Sequence, residues 1–171
     1  MDGVLAHTFV LAFRDVRING MSQSETTLNA MLAAHYGVPS VFTSGDDAYI
    51  AHCRERLPGI ETVVTKKTSG FTSIDSLKPA VAQRLIGEGV ERALRRLSDF
   101  APMELPRSFD LEIDFSERSQ PEMWAWLPWC ERRGPRTIGW KLATMPEVMR
   151  LIGFASFYQS HGVPRYGEGT P

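Results

Sequence analysis

The stretch from Arg17 to Asp47 constrains this chain more than any other. It reads R-I-N-G-M-S-Q-S-E-T-T-L-N-A-M-L-A-A-H-Y-G-V-P-S-V-F-T-S-G-D-D. Asn19-Gly20 is a two-residue hairpin signal, because both residue types accept the left-handed backbone of a type I′ turn. A helix follows, with Leu28, Met31 and Leu32 on one face and Gly37 as its stop. Ser22 and Glu25 have the S-x-x-E spacing of a capping box. Pro39 to Thr43 reads as a short buried strand. Asp46 or Asp47 then opens a second helix to about Leu57, stopped by Pro58-Gly59. Alternating strands and helices specify an α/β protein. A polar ligand or metal suits the sheet edge where Glu25 and the Ser-Gly-Asp-Asp turn would lie.

The flanking segments extend the pattern. Val4 to Phe13 is β-branched and aromatic enough for a strand, interrupted by His7. Glu61 to Lys66 alternates like a strand. Ser76 is placed to cap a long helix with Pro79 in its first turn, and Val81, Leu85, Val90, Leu94 and Leu97 recur at helical spacing. Gly87 and Gly89 weaken that helix and mark positions of close packing. Ala101 to Pro106 reads as a linker. Phe109 to Phe115 alternates strictly, with Phe109, Leu111, Ile113 and Phe115 on one face and Asp110, Glu112 and Asp114 on the other. Pro121 to Trp129 suggests a short aromatic helix, Thr137 to Ala143 a strand and Pro146 to Gln159 a last helix. An antiparallel element is expected late.

The expected fold is α/β, a mixed sheet flanked by helices. An α/β part at 3–100 would hold His7 and Glu25, and a smaller α+β part would occupy 107–160. The Gly- and Pro-rich tail at 161–171 is expected to be loose.

Composition narrows the partners. The net charge is -1, so no basic excess points to nucleic acid or an anionic membrane. No apolar run approaches the roughly 18 residues of a membrane span. Met1-Asp2-Gly3 lacks the basic start of a secretory leader. Cys53 and Cys130 are far apart and form no metal-binding spacing, which suits free thiols in a cytoplasmic setting. No Gly-rich nucleotide loop is present.

Each polar candidate has two readings. Glu25 is a helix-cap acid or a metal ligand; the second needs two or three further His, Asp or Glu side chains. His7 is a core or interface histidine, or a proton-handling side chain beside a reacting group. Asp46 and Asp47 cap a helix or contact a ligand at a strand's carboxyl end. Lys66 and Lys67 are solvated or carboxylate-binding. Asp110, Glu112 and Asp114 form a metal stripe or the charged face of an edge strand. His35, His52 and His161 have no ligand-type partners at helical spacing. Trp124, Trp126 and Trp129 suit a core or a subunit contact.

In order, G-V-L-A-H-T-F, R-I-N-G, S-E-T-T-L-N-A, Y-G-V-P, S-G-D-D, V-V-T-K-K and S-L-K-P resemble the M55 family of zinc D-aminopeptidases. The resemblance covers most of the chain and is best from Gly3 to about Leu97. It implies His7 as the catalytic residue, Glu25 as a zinc ligand and zinc as the cofactor. It also implies short peptides with an amino-terminal D-residue as substrates, and a homo-oligomer.

The chain departs from the family pattern in three places. Ser24 and Thr27 stand where the family glutamate is flanked by glycines. Phe71, not arginine, follows Gly70. The family's amino-terminal half, with an Asp-x-Glu pair and two histidines of a two-zinc site, has no counterpart; Asp110-x-Glu112 falls in a late strand and is no substitute. The expected product is therefore an incomplete fold with an open sheet edge and an exposed apolar helix face. Two roles follow: a subunit or fragment completed by an amino-terminal polypeptide, or an inactive scaffold for assembly. Without the resemblance, the residues alone also suit an α/β domain binding a small anion at helix N-termini.

Overall fold

The computed structural model describes residues 3–159. Its first elements are the hairpin strands Phe13–Ile18 (β1) and Met21–Ser22 (β2), with Arg17 opposite Ser22 and Ile18 opposite Met21. Asn19 at φ 52 and Gly20 at φ 79 supply the left-handed turn read from the sequence. The helix Glu25–His35 (α1) ends before Gly37 at φ 74. Then come Phe42–Asp46 (β3), Asp47–Arg56 (α2), Glu61–Gly70 (β4), Ser73–Ser76 (β5) and Pro79–Arg95 (α3). A 3-10 turn at Leu97–Asp99 precedes the linker. The last elements are Phe109–Phe115 (β6), Ser119–Trp124 (α4), Glu131–Arg132 (β7), Thr137–Leu142 (β8) and Met145–Gln159 (α5).

Two compact units result, and neither is continuous in sequence. One holds the described residues up to Ala6 with Thr26–Leu105; the other holds His7–Glu25 with the described residues from Pro106 onward. The segment His7–Glu25 joins the carboxy-terminal residues because β1 pairs antiparallel with β6, Val16 opposite Ile113. The tail at 161–171, with His161, lies outside the described residues.

The first unit contains a mixed sheet in the order β3-β4-β5. Strands β3 and β4 are parallel and β5 is antiparallel to β4. Helices α2 and α3 pack on β3 and β4. Gly89 lets α3 approach closely: a Cβ there would stand 2.6 Å from the Phe42 ring and 2.9 Å from Val63 Cγ2. Gly87 has nothing within 4 Å and makes no such approach. Within this unit β3 is an edge strand, and Val81, Val90 and Leu94 of α3 and Leu97 of the following turn are exposed.

The second unit is a five-stranded antiparallel sheet, β2-β1-β6-β8-β7. The alternation of β6 is realised in full: Phe109, Leu111, Ile113 and Phe115 are buried, while the residues between them are half-buried. Each such large apolar side chain contributes roughly 1.5–3 kcal/mol when withdrawn from water. Helix α5 lies on β6 and β8 and buries Met145, Val148, Ile152 and Ala155.

Several expected elements differ. Val4 to Phe13 is not a strand; β1 begins only at Phe13, because Leu5 at φ 49 and Phe9 at φ 63 take left-handed backbone that no strand tolerates. The Ser22–Glu25 capping box does not form. Ser22 sits in β2 and donates to Asp15 Oδ1 at 2.7 Å, and Glu25 opens the helix. The strand expected at Pro39 starts at Phe42. Ser76 belongs to β5, and α3 begins with Lys78 at its cap position and no side-chain bond there. The acidic row is not on an edge strand, since β6 is flanked by β1 and β8. The aromatic helix ends at Trp124, before Trp126 and Trp129. No described helix is long and apolar enough to cross a membrane.

Candidate functional site

The segment that carries His7 is a pinned loop. Val10 N–H donates to Thr8 O at 2.9 Å and Phe13 N–H to Val10 O at 3.0 Å, so the chain doubles back before β1. Phe9 sits at φ 63 in the middle of the turn. Two bonds then fasten the loop to the residues that follow the hairpin. Thr8 Oγ1 donates to Gln23 O at 3.3 Å, and Phe9 N–H donates to Glu25 Oε1 at 2.7 Å. Gln23 N–H in turn donates to Val16 O at 2.8 Å, which ties this corner to β1.

The structure therefore brings the His7 loop and Glu25 together in one unit. Both side chains are exposed. Glu25 is the first residue of α1, where the positive end of the helix favours a carboxylate. It is not a capping-box acid, because its oxygen accepts from the loop rather than from its own helix. A single carboxylate does not hold zinc, which takes about four donors. Among the described residues no group of three His, Cys, Asp or Glu converges on a metal position. The described residues thus do not build a metal centre by themselves.

The other candidates have structural partners. Asp46 caps α2, its Oδ1 accepting from Tyr49 N–H at 2.8 Å. Asp47 Oδ1 accepts from Thr68 N–H at 2.9 Å and Ala48 N–H at 3.1 Å. Those bonds, Thr68 first, hold its carboxyl below the usual range. Gly45 leaves room for the Tyr49 ring, which a Cβ would strike. The Tyr49 hydroxyl bonds Thr43 Oγ1 at 2.6 Å and Thr26 Oγ1 at 2.5 Å, locking α2 to β3 and α1. Lys66, half-buried, stands opposite Asp46 in the β3–β4 register, and Lys67 is exposed.

The acidic row of β6 is matched by Arg17 of β1 and by Arg133, which follows β7. Arg17 Nε donates to Glu112 Oε2 at 2.9 Å, and Arg133 reaches Asp110 at 2.6 Å, Glu131 at 3.0 Å and Glu112 at 3.4 Å. Asp114 accepts from Thr137 Oγ1 at 3.3 Å. This is an ion-pair network, not a metal stripe. Arg133 lies over Gly139, where a Cβ would collide with its guanidinium.

His35 stacks edge-on against Tyr36 at 4.9 Å between ring centroids. Burial, then Arg56, lowers the pKa of His52. Burial raises the Cys53 thiol and pushes Cys130 up to about 11, so both are poor nucleophiles at neutral pH. Trp124 is buried and packs edge-on to Trp140 at 5.7 Å and Phe154 at 5.4 Å, whereas Trp126 and Trp129 are exposed.

Sequence reasoning did not anticipate the Phe9 amide or the Thr8 hydroxyl as parts of this corner. No local pattern signals them, because the partners are 16 and 15 residues away and meet only after the hairpin has turned.

Comparison with known proteins bears on the fold and the family. No curated protein matches significantly. Among solved structures, the chain is similar to the Zn-dependent D-aminopeptidase DppA from Bacillus subtilis, described as a self-compartmentalizing protease. The TM-score is 0.84 and the identity 27%, over 94% of this chain and 60% of that one. This chain therefore spans less than two thirds of that neighbour's length. The family model for D-aminopeptidases of peptidase family M55 matches residues 1–154. The chain belongs to the M55 peptidase family.

Proposed function

We propose that this chain is the His7- and Glu25-bearing part of a D-aminopeptidase, releasing amino-terminal D-residues from short peptides in the cytoplasm. The observation that carries the reading is the 2.7 Å bond from Phe9 N–H to Glu25 Oε1. It fastens the loop of the catalytic-type histidine to the carboxylate that would bind zinc. In this reading His7 handles the proton at the scissile amide, and Glu25 is one zinc ligand among several. The other ligands come from a complementary amino-terminal polypeptide, since the described residues do not supply them.

The test is elemental analysis together with hydrolysis of a D-Ala peptide. Zinc and the amino-terminal half of a family member are added to the wild type and to Glu25→Ala. The wild-type mixture is expected to bind zinc and cleave the peptide, and the variant to lose both. A wild-type mixture that takes up no zinc and shows no hydrolysis refutes the reading.

An inactive assembly protein of the same fold is the second reading. It is supported by the exposed aromatic surface of the second unit, where Trp126 is 75% and Phe157 79% accessible. Surface of that kind suits contact between copies. A stable homo-oligomer without zinc uptake in the mixture above is its signature.

A further inference from the structure

Strained backbone flanks His7 on both sides. Phe9, two residues on, stands at φ 63, and Leu5, two residues before, at φ 49. Left-handed backbone is unfavourable for a bulky side chain and persists only where the surroundings hold it. Each of these two residues has its amide pinned by an acceptor remote in sequence. In the first unit Leu5 N–H donates to Phe71 O at 2.8 Å, and in the second Phe9 N–H donates to Glu25 Oε1 at 2.7 Å.

Within the second unit the His7 loop is held in two different ways. Thr8 is buried and rests on Gln23, which is 2% exposed and whose Nε2 donates to Met21 O at 2.8 Å. That anchor does not involve Glu25. The Phe9 amide instead relies on an exposed carboxylate. A charged acceptor makes a shorter and stronger bond than a neutral one. Without it the strained turn is left to a weaker bond with solvent, while the buried anchor at Thr8 stays in place.

We infer that Glu25 is a positioning residue for His7: by taking the Phe9 amide it holds the turn in its left-handed form, and so fixes how the histidine two residues earlier is presented. This task needs no metal. It rests on the proposed function only in giving His7 a part in catalysis.

NMR on the whole chain without metal tests it with the wild type, Glu25→Ala and Glu25→Gln. Glutamine keeps a carbonyl oxygen able to accept the Phe9 amide, but it loses the charge that favours a helix start. In Glu25→Ala the Phe9 amide is expected to exchange about tenfold faster or more, the size of a lost bond to a charged group. The His7 ring resonances are expected to move toward their unstructured positions. In Glu25→Gln both readouts are expected to return most of the way to wild type. The amide of Met31, in the middle of α1, reports on the fold and is expected to stay protected in all three proteins. His7 resonances that do not move in Glu25→Ala overturn the inference. So does a Glu25→Gln protein that behaves like Glu25→Ala, since the charge would then act on the helix and not on the loop. Loss of Met31 protection overturns it too, because the effect would be one of folding. With no metal present, failure of zinc uptake bears on the proposed function alone, and an unmoved His7 bears on the positioning role alone.

Discussion

Two glycines on α3 give a sharp test of how the first unit is packed. Neither has a positive φ, so alanine suits the helical backbone at both Gly87 and Gly89. The propensity gain is the same at both, about 1 kcal/mol relative to glycine. The surroundings differ. A Cβ at Gly87 meets nothing within 4 Å, whereas at Gly89 it stands 2.6 Å from the Phe42 ring and 2.9 Å from Val63 Cγ2. Both obstacles are short, stiff side chains on the sheet below, so the helix or the strands must move. Overpacking of this kind costs about 1–3 kcal/mol. Gly87→Ala is therefore expected to stabilise by up to about 1 kcal/mol, and Gly89→Ala to destabilise by up to about 2 kcal/mol. Because the propensity terms cancel, the gap between the two variants isolates the overpacking term. Urea unfolding of both, with the slope of the transition checked for constancy, measures it. Two variants within about 0.5 kcal/mol of each other would refute the close approach of α3 to β3 and β4.

Two further perturbations probe the charges. Arg133→Met removes the cation shared by Asp110, Glu112 and Glu131. Because two of those acids are well exposed, the loss is held to about 1–2 kcal/mol near neutral pH. It is expected to shrink as the carboxylates protonate, and an equal loss at about pH 3 and about pH 7 would count against the network. At Asp47 the folded carboxyl is held below its ordinary value of 3.8, chiefly by the Thr68 N–H. A depressed acid stabilises the fold above its unfolded pKa and loses that contribution as pH falls through its folded pKa. Asp47→Asn should therefore flatten the acid limb of the stability profile, and an NMR titration midpoint for Asp47 at or above 3.8 would contradict the bond.

What the sequence disclosed divides along the range of the interactions. The Asn19-Gly20 turn, the Gly37 stop, the Asp46 cap and the alternation of Phe109 to Phe115 depend on neighbours a few residues away, and each is where the pattern put it. Helix α3 was legible from its period, but not which side it buries. Its contact face is the small pair Gly89 and Ala93, and its apolar residues Val81, Val90 and Leu94 are left exposed. The acidic row looked like an edge because its partners are remote: Arg17 reaches Glu112 across 95 residues. Val4 to Phe13 has strand composition, yet the positive φ at Leu5 and Phe9 belongs to a loop whose bonds lie elsewhere in the chain.

Glu25 shows the same division at the candidate site. An S-x-x-E pattern describes only the acid's own helix, and on that basis capping was the natural reading. The folded chain diverts Ser22 into the hairpin, where its hydroxyl goes to Asp15, and so removes one half of the box. Glu25 is then the opening residue of α1, and its carboxylate takes the amide of Phe9, two positions beyond His7. Neither the cap reading nor the ligand reading contains that bond. It gives the carboxylate a fixed direction, because one oxygen is already engaged. Under the proposed function, a carboxylate set in advance in this way loses little freedom on binding, which is the physical reason to seek partner donors around Glu25 rather than along the acidic row of β6.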